Sequence, residues 1–365
     1  MMRKRIFLLL AAAMVVAAPT FGKNPKNQKV KNVIFLIGDG MGLAAVTSWM
    51  VDQHYDMTAF DRAQYTGLCK TYSKNNRVTD SAASATALAT GYKTDNSMVG
   101  RLPDGTDVPN ITEMAKDKGL STGIVITSYL LDGTPAGFTA HATNRGDRED
   151  IARDIVALKP DVIVGGGRKY FVDPQYTSEN LIEKAKAEGV TYVSTPEEFY
   201  ATRQTPILGL FSEDSYPMVI DRDSDFLTDA MNHTLDLLDD NKKGFFVMVE
   251  GSHIDHAAHA NNAEQLLFEM EEFDKAVNAA FDYADTHKGT LVVVTADHET
   301  GGVVVVSNNK DFTKGESGID IKFATGGHSG TLVPVYSYGA GADKFTGVYE
   351  NTDIFQKIKA LLIRK

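Results

Sequence analysis

Short apolar runs separated by amphipathic stretches set the rhythm of this chain. Val33-Ile-Phe-Leu-Ile37, Thr122 to Thr127, Asp161-Val-Ile-Val164, Phe245-Phe-Val-Met-Val249 and Leu291-Val-Val-Val-Thr295 are almost continuously apolar. That is the pattern of strands buried on both faces of a sheet. Between them the spacing turns helical. Helices are predicted from Gly42 to about Val51, over Ile111 to Lys118 and Asp147 to Leu158, and near 178–188 and 223–240. Ala263 to Thr286 is the longest, with Leu266, Leu267, Met270, Phe273, Ala276, Val277, Ala280 and Phe281 near a 3.6-residue period. Asp80-Ser-Ala-Ala-Ser-Ala-Thr-Ala87 reads as a loop entering a helix N-terminus.

Alternating strand and helix predicts an α/β fold. The expected form is a three-layer sandwich, with a central, mostly parallel sheet flanked by helices on both faces. No linker rich in Pro or Ser and no internal repeat interrupts the pattern, so one domain is expected from about residue 30 to 365.

The first 22 residues follow another logic. Arg3, Lys4 and Arg5 precede an apolar run of 13 residues, Ile6 to Ala18, and then small residues up to Gly22. This predicts a cleaved export signal over residues 1–22, placing the mature chain in the periplasm or outside the cell with no membrane span left. The full chain carries 37 Lys+Arg against 48 Asp+Glu; removing three cations with the leader changes the formal charge from −11 to −14. Such a chain repels polyanions, so no nucleic-acid polymer is expected as a partner. The single cysteine, Cys69, cannot form an intrachain disulfide and sits in an apparent strand as a small core residue.

Candidate chemistry collects at strand ends, where ligands of open α/β sheets bind. Asp39 follows the first strand, Asp132 and Thr134 follow the strand around 122–127, Glu250 follows 245–249 directly, and Asp297 and His298 follow 291–295. Three of the nine histidines, His253, His256 and His259, fall within seven residues, and Asp255 lies four before His259, one helical turn away. His328 sits in Thr325-Gly-Gly-His-Ser-Gly330. Carboxylates together with imidazoles suit Zn²⁺, Co²⁺ or Mn²⁺, whereas an all-oxygen set suits Mg²⁺. His54, His233 and His287 read as surface helix positions, and His141 and His253 carry no assigned chemistry.

Six motifs, in order, give the chain its resemblance to the alkaline phosphatases. They are Ile37-Gly-Asp-Gly-Met-Gly42, Val78-Thr-Asp-Ser-Ala-Ala-Ser-Ala-Thr-Ala87, Asp132-Gly-Thr-Pro135 with Arg145, Val249-Glu-Gly-Ser-His-Ile-Asp-His-Ala-Ala-His259, Val294-Thr-Ala-Asp-His298, and Gly327-His-Ser-Gly-Thr-Leu-Val-Pro-Val335. The resemblance implies hydrolysis of small phosphate monoesters with Ser81 as nucleophile and Arg145 clamping the phosphate. It implies one Zn²⁺ on Asp39, Asp297 and His298, and a second on Asp255, His259 and His328. A third ion, usually Mg²⁺, would lie on Asp132, Thr134 and Glu250 with Asp39 bridging. It places His256 near the phosphate or third ion, and it makes a homodimer possible. Two other readings compete: a two-metal hydrolase acting on diesters or sulfate esters, and a non-catalytic exported binder of zinc or phosphate. Ser84 and, less favourably, Thr79 compete with Ser81 for the nucleophile's role. Asp132 stands where some members carry His, which favours Mg²⁺ in the third site.

Overall fold

The computed structural model describes residues 28–222, 225–306 and 320–363. The leader predicted over 1–22 lies outside them.

Ten strands form one sheet. In chain order the first eight are β1 (Asn32–Gly38), β2 (Tyr65–Lys70), β3 (Ser121–Tyr129), β4 (Val162–Gly166), β5 (Thr191–Val193), β6 (Ile207–Leu210), β7 (Phe245–Gly251) and β8 (Thr290–Thr295). Four short strands follow: β9 (Glu299–Thr300) pairs with β12 (His328–Ser329), and β10 (Val303–Val306) with β11 (Asp320–Phe323). β13 (Val333–Gly339) and β14 (Gly347–Glu350) return to the main sheet, whose order is β14-β2-β13-β8-β1-β7-β3-β4-β6-β5. Pairing from β8 through β6 to β5 is parallel throughout; β13 runs antiparallel to both neighbours. The expected mostly parallel sheet is therefore present, and the reversed β13 is the element its apolar pattern did not announce.

The helices are α1 (Leu43–Asp52), α2 (Ser81–Thr90), α3 (Ile111–Asp117), α4 (Gly133–Gly137), α5 (Arg148–Leu158), α6 (Lys169–Val172), α7 (Leu181–Ala187), α8 (Pro196–Ala201), α9 (Phe226–Leu238), α10 (His253–His259), α11 (Ala263–Thr286) and α12 (Asn351–Leu362). One layer groups α2 with α3, α4 and α12; the other groups α11 with α1, α9 and α10. α11 spans the predicted range, and its stripe Leu266, Met270, Phe273, Val277 and Phe281 is buried. Each such side chain contributes about 1.5–3 kcal/mol of transfer free energy. β1 is buried along its whole length because helices cover both its faces. Phe35 meets Phe138 edge-on, with ring centroids 5.9 Å apart.

Register places the chemistry. Ile37 lies opposite both Glu250 and Thr295, and Ile126 opposite Glu250. The carboxyl ends of β1, β3, β7 and β8 are thus level. Glu250 sits inside β7, one residue before its end, because the strand continues to Gly251. Cys69 is fully buried in β2.

One histidine group departs from expectation. His233 is buried in α9, edge-on to Phe199 and Tyr200, with Nε2 facing the Thr202 carbonyl at 3.0 Å. His54 lies in the turn after α1 with φ of 53°, and His287 caps α11 and stacks on Tyr283. Periodicity alone did not separate these positions from exposed helix faces.

Candidate active site

Ser81 is the first residue of α2 and is almost fully buried. Asp80 caps the helix, its Oδ1 accepting from Ala83 N at 3.0 Å. The free N–H groups there provide partial positive charge for an anion. α4 packs closely on α2 because Gly133 and Gly137 have no side chain. A Cβ on Gly133 would lie 2.8 Å from Ala82 N, and one on Gly137 2.7 Å from the Ala85 Cβ. That approach carries Asp132, which caps α4, and Thr134 toward the strand ends.

Three imidazoles converge beside Ser81, and their outer hydrogen bonds decide which nitrogen faces inward. His259 Nδ1 meets the Gly326 carbonyl at 2.7 Å, and His328 Nδ1 meets the Thr79 carbonyl at 2.9 Å. Carbonyls only accept, so both Nδ1 atoms carry protons. The Thr300 hydroxyl donates to Asp255 Oδ1 at 2.5 Å, so it must accept from His298 Nδ1 at 3.1 Å. In the neutral rings every Nε2 is then a lone pair pointing inward.

Those lone pairs face other acceptors. His259 Nε2 is 3.1 Å from His328 Nε2 and 3.2 Å from Asp255 Oδ2; His328 Nε2 is 3.8 Å from Asp255 Oδ1. His298 Nε2 is 3.1 Å from Asp297 Oδ2, 3.6 Å from Asp39 Oδ1 and 3.2 Å from Ser81 Oγ. Donor atoms at zinc-bond length around a tetrahedral ion lie about 3.3 Å apart. Asp39, Asp297 and His298 form one group able to hold an ion, and Asp255, His298 and His328 another, so His298 borders both.

A third concentration of charge lies behind them. Glu250 is fully buried, with neither carboxylate oxygen at hydrogen-bonding geometry to any partner, and Asp39 Oδ1 is likewise unmatched. Burial, then Asp132 and Asp297, push Glu250 well above the ordinary carboxylate range. Burial, then Asp297, Asp255 and Glu250, do the same to Asp39. Thr134 Oγ1 lies 3.5 Å from both Asp39 Oδ2 and Asp297 Oδ2. Burial alone would depress His298, yet Asp297 and Asp255 outweigh it and raise its pKa. Burial also opposes the charge on Asp255, but the His259 hydrogen bond and His298 hold it low. Unmatched buried carboxylate oxygens against inward imidazole lone pairs cost several kcal/mol unless positive charge lies between them. The donor set therefore fits metal ions.

Sequence and structure comparisons agree on the kinship. The sequence model of the family described as alkaline phosphatase matches residues 30–317. The chain is 33% identical to alkaline phosphatase 4 of Bacillus subtilis, over 91% of this chain and 88% of that protein. It is 32% identical to streptomycin-6-phosphate phosphatase of Streptomyces griseus, over 97% and 95%. The solved alkaline phosphatase of the Antarctic bacterium TAB5 superposes with a TM-score of 0.84 at 37% identity, covering 92% of this chain and 98% of that one. A histidine-to-aspartate variant of that enzyme has Mg bound in its M3 site.

This chain belongs to the alkaline phosphatase family.

The phosphatase is a phosphomonoester hydrolase, so the reading as a non-catalytic binder falls. Its rival hydroxyls are otherwise engaged. Ser84 Oγ donates to the Asp297 carbonyl at 2.6 Å and accepts from Asn351 Nδ2 at 3.2 Å. Thr79 Oγ1 donates to the Asp80 carbonyl at 2.9 Å. Ser81 Oγ alone of the three touches the histidine cluster. Arg145 is held from two sides, Nη2 donating to Asp132 Oδ1 at 2.6 Å and Nη1 to Asp80 Oδ2 at 3.4 Å. Burial disfavours its charge, but Asp132 and Asp80 raise its pKa further. His256 pairs through Nδ1 with Nδ1 of buried His253 at 2.9 Å, whose Nε2 faces the Tyr216 carbonyl at 2.8 Å.

Several residues of the site escaped sequence reasoning. Thr300 joins His298 to Asp255, Asp80 joins α2 to Arg145, and His253 holds His256. Gly40 (φ +70°) lets the β1 loop pass beneath Thr300, where a Cβ would lie 2.8 Å from Thr300 Oγ1 and 2.9 Å from Asp255 Cα. A polar residue two positions beyond His298 was the only local signal for Thr300.

Proposed function

We propose that the phosphatase cleaves phosphate monoesters through a phosphoserine on Ser81, with two zinc ions and one magnesium ion. What carries this reading is the cluster of three inward Nε2 lone pairs with the carboxylates Asp39, Asp255 and Asp297, which reaches the Ser81 hydroxyl through His298. Asp39, Asp297 and His298 would hold one zinc; Asp255, His259 and His328 the other. Asp132, Thr134 and Glu250, with Asp39 bridging, would hold magnesium, since an all-oxygen set suits a hard cation. An aspartate at position 132 parallels the Antarctic enzyme's aspartate variant that binds Mg. Bound there, the ions would lower the pKa of the serine hydroxyl and of the attacking water and neutralise charge on the phosphoryl oxygens.

The protein's own groups do the positioning. The start of α2 directs backbone N–H groups at the phosphoryl group, and the Arg145 fork is pre-aimed by Asp80 and Asp132 to grip two of its oxygens. Thr300, Thr79 and Gly326 fix the imidazole tautomers, so no ring must reorient during turnover. His256 would contact substrate from α10. Phosphoryl transfer needs mainly such placement and charge neutralisation.

Residues 30–365 are read as one catalytic domain of an exported enzyme that acts on varied small monoesters; the Streptomyces griseus relative is named for streptomycin 6-phosphate. No helix among the described residues is long and apolar enough to cross a membrane. Ser81→Ala with metal analysis tests the mechanism. Loss of aryl phosphate turnover with zinc retained is expected; wild-type turnover would remove Ser81 from the mechanism. A preference for diesters over monoesters of one alcohol would favour the diesterase reading.

A further inference from the structure

Arg145 is carried by a segment that hangs on a charged histidine outside the metal cluster. Between α4 and α5 the chain pairs with residues 97–101. Val99 and Ala142 exchange two backbone hydrogen bonds, of 3.0 and 2.8 Å, and Arg145 N donates to the Ser97 carbonyl at 2.7 Å. Ser97 N in turn donates to Asp80 Oδ2 at 2.9 Å, and Gly100 N to Thr86 Oγ1 of α2 at 2.9 Å. The clamp and the nucleophile's helix thus share one scaffold.

His141 fastens that scaffold to the protein body. Its Nδ1 lies 2.7 Å from the Gly100 carbonyl, its Nε2 lies 2.9 Å from Glu113 Oε1 of α3, and its backbone N donates to Asp154 Oδ2 of α5 at 2.8 Å. A carbonyl and a carboxylate both only accept, so each ring nitrogen must donate and the ring is an imidazolium. Gly100 lacks a side chain where the ring passes; a Cβ there would lie 2.7 Å from Nδ1.

We infer that His141 is a positioning residue for catalysis: held as a cation between Glu113 and Gly100, it locks the strand pairing that presents Arg145 to the phosphate. This rests on reading Arg145 as the clamp. Glu113 from α3, Asp107, which pairs with Arg101, and Asp154 from α5 face His141, and Arg101 is neutralised by Asp107. The Glu113 hydrogen bond, opposed by burial and helped by Gly100, lifts His141 to about 9. A group whose folded pKa is raised contributes stability below its unfolded pKa and loses it as pH rises through the folded value. The lock is therefore intact at neutral pH and opens as pH climbs past about 9.

The test compares His141→Gln, His141→Lys, Glu113→Gln and Arg145→Ala with the wild type. Glu113→Gln keeps an acceptor for the α3 capping box and removes the charge facing His141, so it stands in if His141→Gln fails to fold. For His141→Gln and Glu113→Gln, KM for p-nitrophenyl phosphate and Ki for inorganic phosphate should rise about fivefold at pH 7.5, with kcat and metal content nearly unchanged. His141→Lys keeps a cation at high pH, so its KM should climb less above pH 9 than that of the wild type. Unchanged KM and Ki in both neutral variants, while Arg145→Ala raises them, would overturn the role of His141 and leave the clamp standing. Unchanged values in Arg145→Ala would remove the clamp itself. Loss of metal or of kcat alone in His141→Gln would also refute the proposal.

Discussion

Thr300→Val isolates the smallest part of the site that holds two metal-binding candidates at once. The hydroxyl donates to Asp255 Oδ1 at 2.5 Å and accepts from His298 Nδ1 at 3.1 Å. Valine keeps the volume and removes both bonds. Thr300 is fully buried, as is His298, and Asp255 nearly so, so water does not readily replace the hydroxyl. Leaving a buried donor or acceptor unmatched costs about 1–3 kcal/mol, more when charged. Two such losses that share one atom are not fully additive, so the estimate is about 2–4 kcal/mol. Part of this appears as stability of the metal-free protein. The rest appears as metal affinity, because an untethered His298 ring can turn its Nε2 away; removing such a support costs about 10–100-fold. Zinc affinity by chelator competition should fall by that factor and kcat/KM at limiting zinc should fall with it, whereas Thr300→Ser should stay near wild type. Zinc affinity within twofold of wild type in Thr300→Val would refute the tautomer argument, because that argument assigns the orientation of His298 to this one hydroxyl.

Other changes probe other links. Arg145→Lys exchanges a planar fork held by Asp80 and Asp132 for a point charge; steady-state kinetics should show kcat/KM lower by about tenfold, mostly in KM. Gly40→Ala forces a side chain into a φ of +70° and against Thr300 and Asp255; thermal unfolding and metal content should both drop, by about 3 kcal/mol or more in stability. Glu269 is buried in α11, accepts from Val219 N at 2.9 Å, and is lifted by burial to about 7. Its folded pKa lies above its unfolded one, so its contribution is full below about pH 4.5 and lost as pH rises through about 7. Glu269→Gln should therefore raise thermal stability at pH 8 by about 2–3 kcal/mol and change little at pH 5, as calorimetry at the two values would show.

Local pattern determined much of this protein. Continuous apolar runs of about five residues rich in Val, Ile and Phe are the pattern of strands covered on both sides, and β1, β7 and β8 appear where those runs lie. The 3.6-residue stripe determined α11 to the residue. Parallel strands with intervening helices put every strand's carboxyl end on one edge, so Asp39, Glu250 and Asp297 could be grouped before any distance was known. Other features depend on what meets across the fold, to which sequence spacing is blind. β13 is reversed because it enters the sheet between β8 and β2, 42 and 264 residues from its partners at the Tyr336–Val294 and Val333–Cys69 pairs, and no local period encodes the direction of such a return. His233 and exposed helix positions share one periodicity, and it is the rings of Phe199 and Tyr200 and the Thr202 carbonyl that cover it. Which imidazole nitrogen faces the carboxylate cluster depends on Thr79, Gly326 and Thr300, and two of those three lie more than 60 residues from the histidine they orient. The residue types at the site were legible because chemistry restricts them; their protonation and aim were decided by tertiary partners, because hydrogen bonds are short and the chain that supplies them is long.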